Sequence, residues 1–79
     1  MVRGKFRLVN ISKNANYDST KLVFDAVSLS DKDNVEENQK YHRYTPNGKI
    51  EMDVNNPEAE VQLQLGKYYY VDFTQCETQ

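Results

Sequence analysis

Apolar residues recur at every second position in several short runs, each bounded by polar or turn-forming residues, and this period of two restricts the chain to a β fold. In "VRGKFRLVNIS" Val2, Phe6 and Leu8 alternate with Arg3, Lys5 and Arg7, after which Val9 and Ile11 take over the apolar role. That change of parity predicts a β-bulge, or a strand buried on both faces, near Leu8-Val9. In "KLVFDAVSL" Leu22, Phe24 and Ala26 fall on one face and Val23 and Val27 on the other. It is the most apolar strand and is expected at the centre of a sheet. Ile50, Met52 and Val54 alternate with Glu51 and Asp53, which predicts a strand with one face buried. In the last strand, "KYYYVDFT", Tyr69 shares a face with Val71 and Phe73, while Tyr68 and Tyr70 lie with Asp72 on the other. Tyr69 is therefore expected in the core, and Tyr68 and Tyr70 at the surface.

The segments between these runs are turns and loops. "SKNANYDST" is a loop, and "SDKDNVEENQ" reads as an exposed acidic loop carrying Asp31, Asp33, Glu36 and Glu37, with room for a short helix. "KYHRY", residues 40–44, reads as a strand, and "TPNGK" as the compact turn that joins it to the next strand in a hairpin. Asn56 as N-cap, Pro57 at the first helical position, and Glu58 and Glu60 in the first turn predict a short helical turn near 57–62. Val61, Leu63 and Leu65 also alternate, as a strand would, so the helical turn is expected to pass into an extended segment. Together these segments predict an all-β, mainly antiparallel domain over residues 1–75, with 76–79 as a flexible tail. Five strands would make a small curled sheet or a barrel. A helical turn before the fifth strand favours the SH3-like arrangement over the OB-like one.

A chain of 79 residues fits one domain. Domains of this size bury only about 60 to 65 per cent of the surface their unfolded chain exposes. A homo-oligomer or a large partner surface is an expected supplement to so small a core. With 12 acidic and 10 basic side chains the formal charge is −2, which gives no field for gathering double-stranded DNA. Cys76 is the sole cysteine, which fits a reducing cytoplasm better than a disulfide-stapled secreted domain. No run approaches the roughly 20 apolar residues of a membrane helix.

Nucleophilic catalysis needs a Ser, Thr or Cys held by a base, yet His42 is the only histidine and no nucleophile-elbow motif is present. Asp31 and Asp33 have a suggestive spacing but lack the glycine and distal glutamate of a calcium loop, and the glycines at 4, 48 and 66 are isolated. The expectation is a non-enzymatic protein without metal or cofactor. Candidate binding residues are aromatic, basic and acidic. On a strand Tyr41 and Arg43 would share a face, and Arg stacked on Tyr grips bases, rings or carboxylates. The structural alternative has Arg43 paired with Glu51 or Asp53 across the hairpin. Tyr68 and Tyr70, with Asp31, Asp33, Glu36 and Glu37 of the acidic loop, complete the set. Arg3, Lys5 and Arg7 form a basic stripe that could meet phosphates, although a solvated, aggregation-resistant edge explains them more simply.

The segments "YTPNGKIEM", "NNPEA" and "LGKYYYVDF", residues 44–52, 55–59 and 65–73, resemble a family of short bacteriophage-encoded proteins, many without an assigned function. The shared features are a "YTP-x-G" turn, an "NP-x-A" segment and a closing "GK-x-YY-x-DF", all in the C-terminal half. The resemblance implies a viral origin and action in an infected bacterium or a virion, and brings no catalytic residues with it. The expected function is a phage-encoded binding protein that occupies a host protein or a small nucleotide signal in the host cytoplasm. The alternatives are a virion component (minor capsid, decoration or tail-associated protein) and, opposed by the charge, a single-stranded nucleic-acid binder.

Overall fold

The computed structural model describes residues 2–14, 19–29, 35–55 and 62–77. Four strands and one helix follow in the order β1 (Val2–Asn14), β2 (Ser19–Ala26), α1 (Val35–Tyr44), β3 (Lys49–Val54) and β4 (Tyr68–Phe73). The strands form one antiparallel sheet in the order β3-β2-β1-β4. The chain is thus mainly antiparallel β, but the described residues make a four-stranded open sheet with two edges, not the expected five strands and not an SH3-like or OB-like barrel. The helical turn expected near 57–62 lies, but for Gln62, outside the described residues.

The 13-residue β1 is the spine of the sheet, pairing with β2 on one side and β4 on the other. Its register with β2 slips between Leu8 and Asn10, so Val9 is the bulged residue that the change of parity predicts. Before the bulge the even positions face the core; after it the odd ones do, and Ile11 stands opposite Leu22. As its apolar sequence requires, β2 is interior. Phe6, Leu8, Leu22 and Phe24 form the buried centre, with Ala26, Ile50, Val54, Leu63, Tyr69 and Val71 packed around them. Each such aliphatic or aromatic side chain contributes about 1.5–3 kcal/mol when fully buried. Tyr69 meets Phe24 edge-on, with ring centroids 6.0 Å apart, and its hydroxyl accepts the Gln64 N–H at 2.7 Å, so the ring is core and its polar tip is satisfied.

The main correction concerns "KYHRY", which is the C-terminal half of α1 and not a strand. Glu, Gln, Lys and Arg are good helix formers, Glu36 and Glu37 occupy the first turn, and His42 and Arg43 the last, each sign at the end of the helix that stabilises it. Thr45 donates its N–H to Tyr41 O at 2.8 Å, and Pro46 disfavours a helical conformation at the residue before it, so the helix stops there. "TPNGK" is therefore a helix-to-strand connection and no hairpin. β3 pairs with β2, Lys49 standing opposite Asp25 and Val54 opposite Thr20, and Met52 on its apolar face is exposed rather than buried.

Candidate recognition face

On the face of the sheet opposite the core, the first and last strands bring together residues far apart in sequence. Arg3 stands opposite Asp72, Lys5 opposite Tyr70, and Arg7 opposite Tyr68. Val27 N–H bonds to Lys5 O at 3.1 Å, so the Lys5 main chain is directed at β2 and away from β4. Lys5–Tyr70 and its neighbours two residues away are accordingly the non-hydrogen-bonded pairs, in which opposite side chains approach most closely. The basic stripe and the displayed tyrosines are thus one surface. The Arg3 guanidinium lies 5.0 Å from the Tyr70 ring centre, the Lys5 ammonium 5.2 Å from that of Tyr68, and the Arg7 guanidinium 5.9 Å from Tyr68, all within cation–π range.

Two carboxylates set the charge of this surface. Arg3 grips Asp72 with two hydrogen bonds, Nε to Oδ1 at 2.6 Å and Nη2 to Oδ2 at 2.9 Å, a bidentate geometry that fixes the guanidinium plane. That contact holds the Asp72 carboxyl below its ordinary pKa and raises that of Arg3. Glu37 reaches down from α1: its Oε1 accepts the Tyr70 hydroxyl proton and lies 3.4 Å from the Lys5 ammonium. The Tyr70 hydrogen bond, with Lys5 second, keeps Glu37 ionised to lower pH than usual, and the same bond raises the pKa of Tyr70. Lys5 is only 5 % exposed, an unusual state for a lysine, and its ammonium is satisfied by Glu37 and the Tyr68 ring.

α1 is seated here by one stripe. Glu37, Asn38, Tyr41 and His42 recur at helical spacing and are the residues of α1 that are wholly or partly buried. The Tyr41 ring lies 5.9 Å from that of Tyr70, and His42 donates its Nδ1–H to Val27 O at 3.1 Å. Because successive helical residues turn by about 100°, Tyr41 and Arg43 point to opposite sides, and the shared face expected of a strand does not exist. Arg43 instead borders a groove of about 330 Å³ with Leu29, Gln39 and His42. Glu36 lies on the exposed side of α1, while Asp31 and Asp33 lie outside the described residues. Of the candidate residues, the structure brings Tyr41, Tyr68, Tyr70 and Glu37 together.

Arg3, Lys5, Arg7 and Asp72 complete the surface, although the simpler reading of the sequence made the three cations a solvated edge. β1 is interior, so they are not an edge. The available signal was that cations at positions 3, 5 and 7 and tyrosines at 68 and 70 share a period of two, which matters only once β1 and β4 are known to pair. The hollow among Lys5 and Tyr68 to Tyr70 is about 160 Å³. Sites for drug-sized ligands run to about 300–1,000 Å³, so this one suits a side chain or a single small group of a larger partner. Comparison with protein-family models, curated proteins and solved structures finds no match.

Proposed function

We propose that the protein is a non-enzymatic binding protein, encoded by a bacteriophage, that occupies a host protein in the infected cell's cytoplasm through the β1–β4 face. The observation that carries the reading is the alternation of Arg3, Lys5 and Arg7 with Tyr68 and Tyr70, a mixture of guanidinium and phenol groups typical of energetic anchors in protein interfaces. The phage origin rests on the resemblance of residues 44–52, 55–59 and 65–73. A protein partner is favoured over a small nucleotide by the 160 Å³ hollow, which falls short of an enclosing ligand site. Pull-down from host lysate tests the proposal, with calorimetry against nucleotides as its second arm. Retention of a host protein supports it; a pull-down that retains none rejects it, and nucleotide binding without a retained protein turns the reading to a small nucleotide signal.

A role as a virion component is the rival reading, supported by the outer edge of β4, which no strand covers among the described residues and which can continue a sheet from one subunit into another. Mass spectrometry of purified virions separates the two. A structural protein is present in stoichiometric amounts, and an accessory binding protein is not.

A further inference from the structure

The two margins of the sheet differ. β3 carries Lys49, Glu51 and Asp53 at alternate positions, and Glu51 lies 3.1 Å from the Lys49 ammonium and 3.8 Å from that of Lys21. A charged edge of this kind resists pairing with a further strand. β4 has a single charge, Asp72, already held by Arg3; its other residues are three tyrosines, a valine and a phenylalanine, all strong strand formers. No proline, lysine or bulge interrupts it. Among the described residues no strand pairs with its outer side. Since Lys5 directs its main chain toward β2, Tyr70 opposite it directs its own N–H and C=O outward, and by alternation Tyr68 and Asp72 do the same.

We propose that this margin is the seam of a homodimer, in which two copies pair antiparallel through β4 about a twofold axis at Val71. The result is one eight-stranded sheet in the order β3-β2-β1-β4 followed by its mirror sequence β4-β1-β2-β3. In this register Val71 opposes its own symmetry mate, Tyr69 opposes Phe73, Tyr70 opposes Asp72, and Tyr68 opposes Thr74. All partners have like parity, so the core face of one copy runs on into that of the other. Phe73, 58 % exposed, is covered by Tyr69 of the second copy, and Val2, 67 % exposed and directly across from Phe73 on β1, joins the same apolar strip. Beside the seam a hollow of about 250 Å³, bounded by Ile50, Leu63, Tyr69 and Val71, gains a wall.

A second copy is the occupant because the edge is complementary to itself. Apolar residues meet apolar residues on the core face, aromatic on aromatic at Tyr69–Phe73. On the other face the only charge that β4 itself carries, Asp72, is neutralised within its own subunit by Arg3, so two identical edge strands meet without like-charge repulsion. A closed twofold also removes the bare edge, which an unrelated strand of arbitrary sequence would match less well.

Sedimentation equilibrium of the full chain at micromolar concentrations should show a species of twice 9.2 kDa. Val71→Lys and Val71→Glu each set like charges face to face across the axis and should weaken association about tenfold or more, and an equimolar mixture should recover it as a heterodimer. Phe73→Lys, at a more exposed position, should also dissociate the dimer and decides the matter if a charge at half-buried Val71 unfolds the chain. The proposal is overturned by a wild-type chain that stays at 9.2 kDa, by a dimer that survives these substitutions, or by folded Val71 variants that dissociate and do not recover on mixing.

Discussion

Leu8 has no solvent exposure and forms the buried centre of the core with Phe6, Leu22 and Phe24. Leu8→Ala should cost about 2–5 kcal/mol. A domain of this length has roughly 4–12 kcal/mol in total, so chemical denaturation should show a large part of the stability gone. Gly4 is constrained by its neighbour: a Cβ there would lie 2.7 Å from Cε1 of the buried Phe6 ring. Gly4→Ala should therefore destabilise by about 1–3 kcal/mol, the range for overpacking. Gly66, at φ +85°, makes the left-handed turn into β4, a conformation other residues adopt only at a cost.

Glu37, Asp72 and Tyr70 give this face a pH signature. Glu37 and Asp72 are held below their ordinary values of 4.5 and 3.8 in the folded state, so their contribution is present above those values and is lost as pH falls through the lowered folded pKa. Tyr70 is raised above its ordinary 10.0, so its contribution is present below that value and is lost as pH rises through the raised pKa. Stability followed by denaturation should be flat between these limits and fall at both ends. Glu37→Gln should remove the Glu37 part of the acid limb, leaving that of Asp72, and should weaken the alkaline limb, because Glu37 and Tyr70 share one hydrogen bond. An unchanged profile in this variant would show that the bond does not seat α1.

At the scale of elements, α1 is where sequence and structure part. Lys40 is the first residue of the expected strand "KYHRY", a position where proline is tolerated, and a middle residue of the observed helix, where it is not. Lys40→Pro should cost about 3 kcal/mol and remove helical circular dichroism, whereas Lys40→Ala should be neutral or better. The strands were legible because their burial has a period of two. Parity in β1 located the bulge at Val9, and the apolar run in β2 located the interior strand. Only the start of the helix was legible, as the short helix for which "SDKDNVEENQ" left room; its C-terminal half was not, because α1 covers the sheet with Glu37, Asn38, Tyr41 and His42, mostly polar side chains that leave no apolar stripe in the sequence. Alternating Tyr41 and Arg43 then passed for a strand.

At the scale of the molecule, the candidate recognition face is a product of topology. Each strand was legible singly, but the pairing of the first strand with the last, which sets Val2 opposite Phe73 and Arg7 opposite Tyr68, was not, and with it the meeting of Arg3, Lys5 and Arg7 with Tyr68 and Tyr70. No helix among the described residues is long and apolar enough to cross a membrane. The proposed function therefore rests on the exposed surface of a small sheet, and on the part of that surface where charge and aromatic rings concentrate.

The most direct test compares what the wild-type chain and an Arg7→Glu/Tyr68→Ala double variant retain from host lysate, quantified by mass spectrometry. Both substitutions lie on the face, and neither residue belongs to the buried centre of the core. The expected result is at least one host protein retained by the wild type and reduced about tenfold or more by the double variant, as loss of an interface anchor produces. Retention of nothing by the wild type, or equal retention by a folded variant, would contradict the account.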